Sequence, residues 1–164
     1  MKKFELTSEF VTFLGKTLFR IKALVSFGDV AEGELGGFIE RENNLDQSGD
    51  AWVYGDAWVY GDARVCGNAQ VFGNAQVYGD AWVFGNARVQ NCRDYSATSC
   101  FGSENRTTTF FRTKDGGISV RCGCFYGTLR EFREKVKERH GDSRLAKEYL
   151  MLADLMEFRL SKDE

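Results

Sequence analysis

Residues 49–90 repeat one six-residue phrase seven times without insertion or deletion: Gly, Asp or Asn, Ala, a variable residue, Val and a second variable residue. Ala and Val stand two positions apart, so a strand places both side chains on one face and the residue between them on the other. Gly, Asp and Asn tolerate the left-handed backbone of a tight corner. The pattern predicts short strands and corners that wind into stacked coils, because a chain that turns at a fixed interval closes on itself.

The period also predicts the core of these coils. We expect the central valines and the alanines beside them to be nearly fully buried. These residues are Val59, Val65, Val71, Val77 and Val83, with Ala57, Ala63, Ala69, Ala75 and Ala81.

A degenerate coil precedes the regular phrases. Gly37 and Asn43 are in step with Gly49, and this frame places Ile39 and Leu45 where Ala stands later. With this segment the chain has about three coils, which end near Gln90, where the Gly and Val pattern is lost. We therefore divide the chain into an N-terminal cap at 1–36, the repeat at 37–90 and a C-terminal cap at 91–164.

Both caps are expected because stacked coils expose backbone and apolar side chains at their two ends. The stretch FVTFLGKTLFRIKALVSF predicts two strands about a Gly15-Lys16 turn, with Phe19, Ile21 and Ala23 on one face. The C-terminal third predicts a ββαα unit that begins with a β-hairpin formed by residues 107–113 and 118–125.

Two helices complete the predicted ββαα unit. The first begins at a capping box of Thr128 and Glu131 and ends at Gly141. Its apolar stripe is Leu129, Phe132 and Val136. The second runs from Ser143 to about Leu160, with an apolar stripe of Leu145, Tyr149, Leu152, Leu155 and Met156. The predicted fold is mainly β, a parallel β-helix with a hairpin cap and an α+β cap.

The phrase V-x-G-[ND]-A-x resembles the hexapeptide repeat of left-handed parallel β-helices, as in trimeric acyltransferases. This resemblance implies a left-handed helix with three phrases per coil. Residues 17–90, with LFRIKALVSFGDVAEGELGGFIERENNL followed by GDAWVYGDA, also resemble hexapeptide-repeat proteins encoded by bacteriophages and prophages. That second resemblance implies a phage origin and a location in the host cytoplasm.

Composition narrows the classes of partner. The formal net charge is −2, which argues against general binding to nucleic acids or to membrane surfaces. The sequence has no run of 18 apolar residues, so we expect no membrane span. Five cysteines without an export signal predict reduced thiols in a cytoplasm.

The residues that could carry chemistry are few. Acyltransferases of the resembled fold use a histidine on the coil as general base, whereas the single histidine here, His140, ends a predicted cap helix. This favours a protein that is not an enzyme and holds no cofactor, with an acyltransferase that uses an unrecognised base as an alternative. Four cysteines outside the repeat form a weak candidate zinc site, although their spacing is not that of short zinc knuckles. They are Cys92, Cys100, Cys122 and Cys124.

The variable positions point outward and are rich in aromatic and arginine side chains. With three phrases per coil, residues 18 apart stack, so Tyr54 lies over Phe72, Tyr60 over Tyr78, Trp58 over Gln76 and Arg64 over Trp82. Exposed aromatic surface of this extent is typical of an interface. The candidate interface or ligand-binding residues are Trp52, Trp58, Arg64, Trp82, Arg88, Tyr54, Tyr60 and Tyr78.

Three functions fit this surface. The first is a binding protein, with counter-defence as its purpose in a phage, that sequesters a nucleotide-like small molecule or a host defence protein. The second is a structural or assembly protein whose aromatic faces serve oligomerisation alone. The third is the acyltransferase. In each case the resemblance implies self-association, with a homotrimer as the expected order.

Overall fold

Each phrase of the repeat forms one short strand that pairs with a strand of the next coil. In the computed structural model, which describes residues 1–162, the strand consists of the first variable residue and Val. These strands are β4 (Trp52–Val53), β5 (Trp58–Val59), β6 (Arg64–Val65), β7 (Gln70–Val71), β8 (Gln76–Val77), β9 (Trp82–Val83) and β10 (Arg88–Val89). Val53 pairs in parallel with Val71, and Val71 with Val89. The register of 18 residues that was expected for three phrases per coil is therefore confirmed.

The interior contains the side chains that the period predicted. All five central valines and all five neighbouring alanines have a relative exposure of 0%. Full burial of one valine side chain stabilises a fold by about 1.5–3 kcal/mol, so the five valines, which lie on three ladders of the repeat, make a large contribution to the core. The prediction of the core is confirmed.

Glycine is required at the corners for two reasons. Gly49 has a φ of 66°, in the left-handed region. A Cβ atom built on Gly49 would also lie 2.4 Å from the carbonyl oxygen of Gly67 in the next coil. At this corner the two coils therefore approach too closely for any larger residue.

The coil before the regular phrases has a different register from the one predicted. Strand β3 (Leu35–Ile39) pairs in parallel with β5 so that Ile39 faces Val59, and Leu45 forms a bridge with Val65. Ile39 and Leu45 thus occupy the Val position, and their predicted place at the Ala position is wrong.

The reason is a coil that is two residues longer than the later ones. Its register with the next coil is 20 residues, from Ile39 to Val59, and it includes a 3-10 turn at Glu42–Asn44. Gly37 stands at the Ala position, where a Cβ atom would lie 2.5 Å from the carbonyl oxygen of Ala57. The glycine therefore permits close packing of two strands, rather than a corner.

The N-terminal hairpin, formed by β1 (Phe4–Phe13) and β2 (Lys16–Ala23), continues one ladder of the repeat. Strand β2 pairs antiparallel with β1 and with β3, which gives a sheet of order β1-β2-β3-β5-β8. The two predicted strands are confirmed, with the turn at Leu14 and Gly15, which both have positive φ. On the predicted face Ile21 and Ala23 are fully buried, whereas Phe19 is half-buried.

The C-terminal unit contains four strands and two helices, so the predicted ββαα order is wrong in the number of strands. An antiparallel sheet orders its strands in sequence, and α1 and α2 follow. The elements are β11 (Tyr95–Phe101), β12 (Arg106–Arg112), β13 (Ile118–Cys122), β14 (Phe125–Thr128), α1 (Leu129–His140) and α2 (Arg144–Leu160). Strand β11 has few β-branched apolar residues, and β14 is only four residues long, so neither has the alternating apolar pattern of a strand.

The helices begin and end where the sequence predicted. Thr128 and Glu131 form the reciprocal capping box, Gly141 follows α1, and the Ser143 hydroxyl caps α2. Leu155 was expected in the buried stripe of α2, but it is 56% exposed because the buried side of the helix is defined by Tyr149, Ala153 and Met156. Within residues 1–162, no helix has both the length and the apolar character needed to cross a membrane.

The C-terminal unit covers the end of the repeat through the buried Tyr95 and Phe111, which join the core of the repeat, and through polar contacts. The Thr109 hydroxyl on β12 accepts a hydrogen bond from the backbone N–H of Trp82 at 3.0 Å. Asp94 is buried, accepts the backbone N–H of Gln90 at 2.8 Å, and pairs with Arg112 at 2.9 Å. These groups satisfy backbone donors that the last coil leaves unpaired.

Candidate ligand-binding surface

Trp52 is not on the surface, which corrects its predicted outward exposure. Its relative exposure is 0% because the N-terminal segments cover it. The Phe4 ring lies edge-on at 6.3 Å between centroids and the Phe27 ring at 5.3 Å. The side chain points away from the valines of the repeat, as predicted, but it is buried between the repeat and the N-terminal segments. Trp52 is therefore closed to a partner in this conformation.

Trp58 and Tyr60 are partly covered by the same end of the molecule. The Phe13 ring of the N-terminal hairpin lies 5.1 Å from Trp58 and 5.9 Å from Tyr60. Tyr78 stacks on Tyr60 at 5.4 Å, which confirms the expected pairing, and remains 52% exposed. Of this aromatic group, Tyr78 presents the most surface.

Tyr54 and Arg88 lie on a different ladder of the repeat. The Tyr54 hydroxyl accepts a hydrogen bond from the Gln70 side chain at 3.4 Å, and burial raises the pKa of Tyr54. The Arg88 guanidinium lies over the Phe72 ring at 4.9 Å and is exposed. Arg88 therefore shares its repeat position with Arg64 but not its surroundings.

Arg64 and Trp82 are neighbours one coil apart, as predicted. Strands β6 and β9 pair Arg64 with Trp82, and the guanidinium carbon lies 5.2 Å from the indole centroid. A second guanidinium, from Arg121 on β13, lies 4.1 Å from the same centroid. We call this group the arginine–tryptophan site; it consists of Arg64, Trp82 and Arg121.

Neighbouring side chains hold the indole of this site in place. The Trp82 Nε1–H donates to the Cys66 sulfur at 3.3 Å, and Phe84 contacts the indole edge at 6.4 Å. Burial raises the pKa of the Cys66 thiol, which keeps it protonated and uncharged near neutral pH. The orientation of the ring is thus fixed from within the repeat, so the site is formed before a ligand arrives.

The electrostatics of the site favour an anion. Among the residues that the structure describes, no carboxylate forms an ion pair with Arg64 or Arg121, and the Nε of Arg121 is buried without a hydrogen-bond partner. Asp46 lies close enough to Arg64 for the two charges to interact. A backbone hydrogen bond from Ser48 lowers the pKa of Asp46, and the Arg64 charge contributes to this. Two cations beside one indole, neither of them in an ion pair within residues 1–162, can bind phosphate or carboxylate oxygens.

Arg121 was missed by the sequence analysis. It stands between Val120 and Cys122 in a strand that was predicted over 118–125 and ends at Cys122, and the strand alone does not tell which element it faces. Its approach to Trp82 depends on the docking of the C-terminal unit through Thr109, which lies opposite Arg121 in the sheet. Only the tertiary arrangement brings this residue to the site.

The four cysteines considered as a zinc site do not come together. In residues 1–162 no three His, Cys, Asp or Glu side chains are grouped closely enough to hold a metal ion. Cys92 precedes β11 and Cys100 lies near the end of that strand, whereas Cys122 ends β13 and Cys124 is in the turn that leads to β14. All four are free thiols.

His140 is part of the C-terminal unit and not of the repeat. It ends α1, where cationic and hydrogen-bonding side chains interact well with the final carbonyls. Its ring stacks on Tyr149 with centroids 5.7 Å apart. The end of a cap helix is the position that was predicted for it.

Part of the repeat matches a known protein family. Residues 63–79, 69–83 and 75–89 match the family described as YdcK Beta solenoid repeat. These overlapping segments cover strands β6 to β10. No curated protein matches the chain. The family match supports a β-solenoid repeat protein and gives no indication of a catalytic activity.

Proposed function

We propose that the chain is a non-catalytic binding protein that sequesters a nucleotide-like small molecule at the arginine–tryptophan site. The observation that carries this proposal is the pair of guanidinium groups beside Trp82 without a carboxylate partner among the described residues. Two like charges at one indole repel each other, and a bound anion relieves that repulsion. Such an arrangement suits a ligand that supplies negative charge from outside.

A nucleotide matches the geometry better than a simple inorganic anion. Guanidinium groups bind phosphate oxygens in a bidentate manner, and their flat faces stack on aromatic rings. Arg64 is exposed and Arg121 half-buried, so a phosphate can reach both while the base lies on the outer face of a guanidinium. The indole holds both arginines by cation–π contact.

We make the same kind of proposal for the handedness of the repeat and for the origin and location of the protein. From the resemblance of residues 17–90 to phage-encoded hexapeptide-repeat proteins and to the acyltransferase repeat, we infer a closed left-handed helix of about three coils. We also infer a phage origin, a location in the host cytoplasm, and counter-defence as the purpose of sequestration. General binding to nucleic acids is not part of the proposal, since the net charge is −2.

A screen for retained and added ligands tests this function. Native mass spectrometry of the purified protein gives its stoichiometry and any small molecule bound to it. Thermal shift against mono-, di- and cyclic nucleotides then shows which of them raise the melting temperature. We expect at least one phosphate-bearing nucleotide to stabilise the protein, because a ligand that binds only the folded state raises its stability. An empty protein with no nucleotide-dependent shift would remove small-molecule sequestration and leave a host protein as the target.

The alternative is a structural or assembly protein whose aromatic faces serve oligomerisation, and the exposed surface of Tyr78 favours it. Trp52, Trp58 and Tyr60 pack against the N-terminal segments of the same chain. Their aromatic character therefore has an explanation in stability alone. The two functions differ at Arg64 and Arg121, because assembly through apolar faces does not use the charges of these residues.

We also propose that the chain self-associates, with a homotrimer as the expected order. Tyr78 supplies exposed aromatic surface on the repeat, and trimers are the habit of the hexapeptide fold that it resembles. Light scattering at micromolar concentration measures the mass directly. A monomer there would exclude the trimer and would assign the Tyr78 surface to another partner.

A further inference from the structure

The C-terminal unit contains a cavity that the arginine–tryptophan site does not use. It has a volume of about 320 Å³ and opens between the β11–β12 turn, the β13–β14 turn and the end of α1. This is near the lower end of the volumes that small-molecule pockets have in proteins. It is large enough for a ligand of one ring and a short chain.

The inner wall of the cavity is apolar and aromatic. Phe132, Val136 and Tyr149 are buried and line it. The Tyr149 ring lies 5.8 Å from Phe132 and stacks with His140. Its hydroxyl accepts the backbone N–H of Ser103 at 3.3 Å, which holds the β11–β12 turn over the opening. These contacts give the cavity a rigid floor against which a ring can pack.

The rim of the cavity carries an excess of positive charge. Arg106, Lys135 and Arg139 line it, against one carboxylate, Glu104. Lys135 pairs with Glu138 at 3.0 Å. In the part of the chain that the structure describes, Arg106 and Arg139 form no ion pair, so one positive charge remains after Glu104 is counted. The balance suits a monoanion better than a polyphosphate.

The unit that holds the cavity is more than a cover for the repeat. Its helices and sheet enclose a core separate from that of the repeat, around Phe110, Phe132 and Met156. The contacts that close the last coil are made by Asp94, Tyr95, Thr109 and Phe111, and none of these residues lines the cavity. The cavity is therefore not needed for capping, and its lining is free to serve a ligand.

We propose that this cavity binds a small organic monoanion, with a carboxylate at the arginine rim and a ring or short chain against Phe132, Val136 and Tyr149. The site is independent of the proposed nucleotide site, because none of its lining residues belongs to the arginine–tryptophan site. The carboxylate accepts hydrogen bonds from Arg106 and Arg139. The apolar part loses contact with water on the aromatic floor.

Calorimetric titration with 3-phenylpropanoate tests the proposal, with its uncharged amide, 3-phenylpropanamide, as the control ligand. We expect a dissociation constant below about 1 mM for the acid and binding at least about tenfold weaker for the amide, because a charge-assisted hydrogen bond is stronger than a neutral one. No measurable binding of the acid, or equal binding of the two compounds, would overturn the proposal.

Two charge reversals at the end of α1 provide a matched pair of variants. Lys137 and Arg139 are both exposed and both in the last turn of the helix, but only Arg139 lines the cavity. Arg139→Glu should weaken binding by about tenfold or more, and Lys137→Glu by less than about twofold. Equal losses in both variants would mean non-specific attraction and would contradict a defined site.

Two exposed thiols of the same chain give a readout that does not depend on the variants. Cys124 lines the cavity and Cys92 does not. Saturating 3-phenylpropanoate should slow alkylation of Cys124 and leave that of Cys92 unchanged, as followed by peptide mass spectrometry. Unchanged alkylation of Cys124 at saturation would place the ligand elsewhere and overturn the assignment.

Discussion

The two ends of the repeat are closed in different ways. At the N-terminal end the hairpin joins the ladder of β3 and β5 and covers aromatic side chains with its own. At the C-terminal end a second sheet and two helices, which have a core of their own, meet the last coil through hydroxyl, carboxylate and guanidinium groups and through the buried Tyr95 and Phe111. The first end is an extension of the repeat, and the second is a separate body docked onto it.

This difference separates side chains that stabilise the fold from those that are available for binding. At the N-terminal end the outward tryptophans are covered by aromatic rings from the N-terminal segments, namely Phe4, Phe13 and Phe27. Arg121 instead brings a charge to Trp82 at the C-terminal end. The same repeat position, before Val, thus holds a buried residue in one coil and a candidate ligand contact in another. The residue type alone does not predict whether a side chain at this position is buried or available for binding.

The largest effect is expected where the repeat itself is broken. Val71→Asp places an unpaired carboxylate at a position with 0% exposure, and burial of an unpaired charge destabilises a fold by several kcal/mol. We expect no soluble, folded protein. Leu155→Asp on α2, which is 56% exposed, is the control and should express normally. A well-folded Val71→Asp variant, judged by circular dichroism and solubility, would contradict the assigned core.

A tryptophan buried at the N-terminal end should matter more to stability than one near the C-terminal end. Trp52→Ala should lower the free energy of unfolding by about 3–5 kcal/mol, because a large cavity remains among Phe4, Phe27 and the coil. Trp82→Ala should cost less, since its ring is only half-buried. Chemical denaturation of both variants measures the difference. Equal losses would show that Trp52 is not in a core.

The N-terminal cap should also give stability a dependence on pH. Lys3 is buried and donates from Nζ to the Ser48, Gly49 and Ala51 carbonyls, and burial lowers its pKa from 10.5 to about 8. Between these two values the unfolded chain keeps a proton that the folded chain has lost. The contribution of Lys3 to the free energy of unfolding therefore rises with pH from about 8 to 10.5, by at most about 3 kcal/mol.

Comparison with Lys3→Met isolates this contribution from other groups that titrate in the same range. The difference in free energy of unfolding between the two proteins should be constant below pH 8. It should then change in favour of the wild type as the pH increases. A difference that stays flat up to pH 10.5 would show that the Lys3 pKa is not lowered in the folded protein.

The smallest effect is expected from a helix cap in the C-terminal unit. Thr128→Ala removes the hydroxyl that accepts the Glu131 N–H at 3.2 Å, and loss of such a cap costs about 0.5–2 kcal/mol. Because this unit has its own core, hydrogen exchange should become faster in α1 and stay unchanged in the repeat. Faster exchange throughout the repeat would mean that the two bodies unfold as one.

The repeat could be predicted from the sequence because its information is local. An Ala and a Val two positions apart, repeated at a fixed interval, determine the strand, its buried face and the register of 18 residues. The first coil was misplaced because it is two residues longer than the later ones. Ile39 is 20 residues from its equivalent Val59, and Leu45 is 20 residues from its equivalent Val65. Glycine spacing does not reveal them, since Gly37 serves close packing instead of a corner.

The site was predictable in part for the same reason. Arg64 over Trp82 follows from the register alone. Burial of Trp52 and the approach of Arg121 depend on segments far away in the chain, Phe4 and Phe27 in one case and β13 in the other. No periodicity connects those segments to the repeat, so neither contact could be read from the sequence pattern.

The most direct test of the central claim is calorimetric titration of the nucleotide that gives the largest thermal shift. Arg64→Ala and Arg121→Ala should each weaken its binding by about 10- to 100-fold, because each removes a charge-assisted hydrogen bond. Arg88→Ala is the matched control, at the same position of the phrase and equally exposed, but over Phe72 and on another ladder. It should change the affinity by less than about twofold. An affinity that is unchanged in Arg64→Ala and Arg121→Ala, or lowered equally in Arg88→Ala, would contradict a nucleotide site beside Trp82.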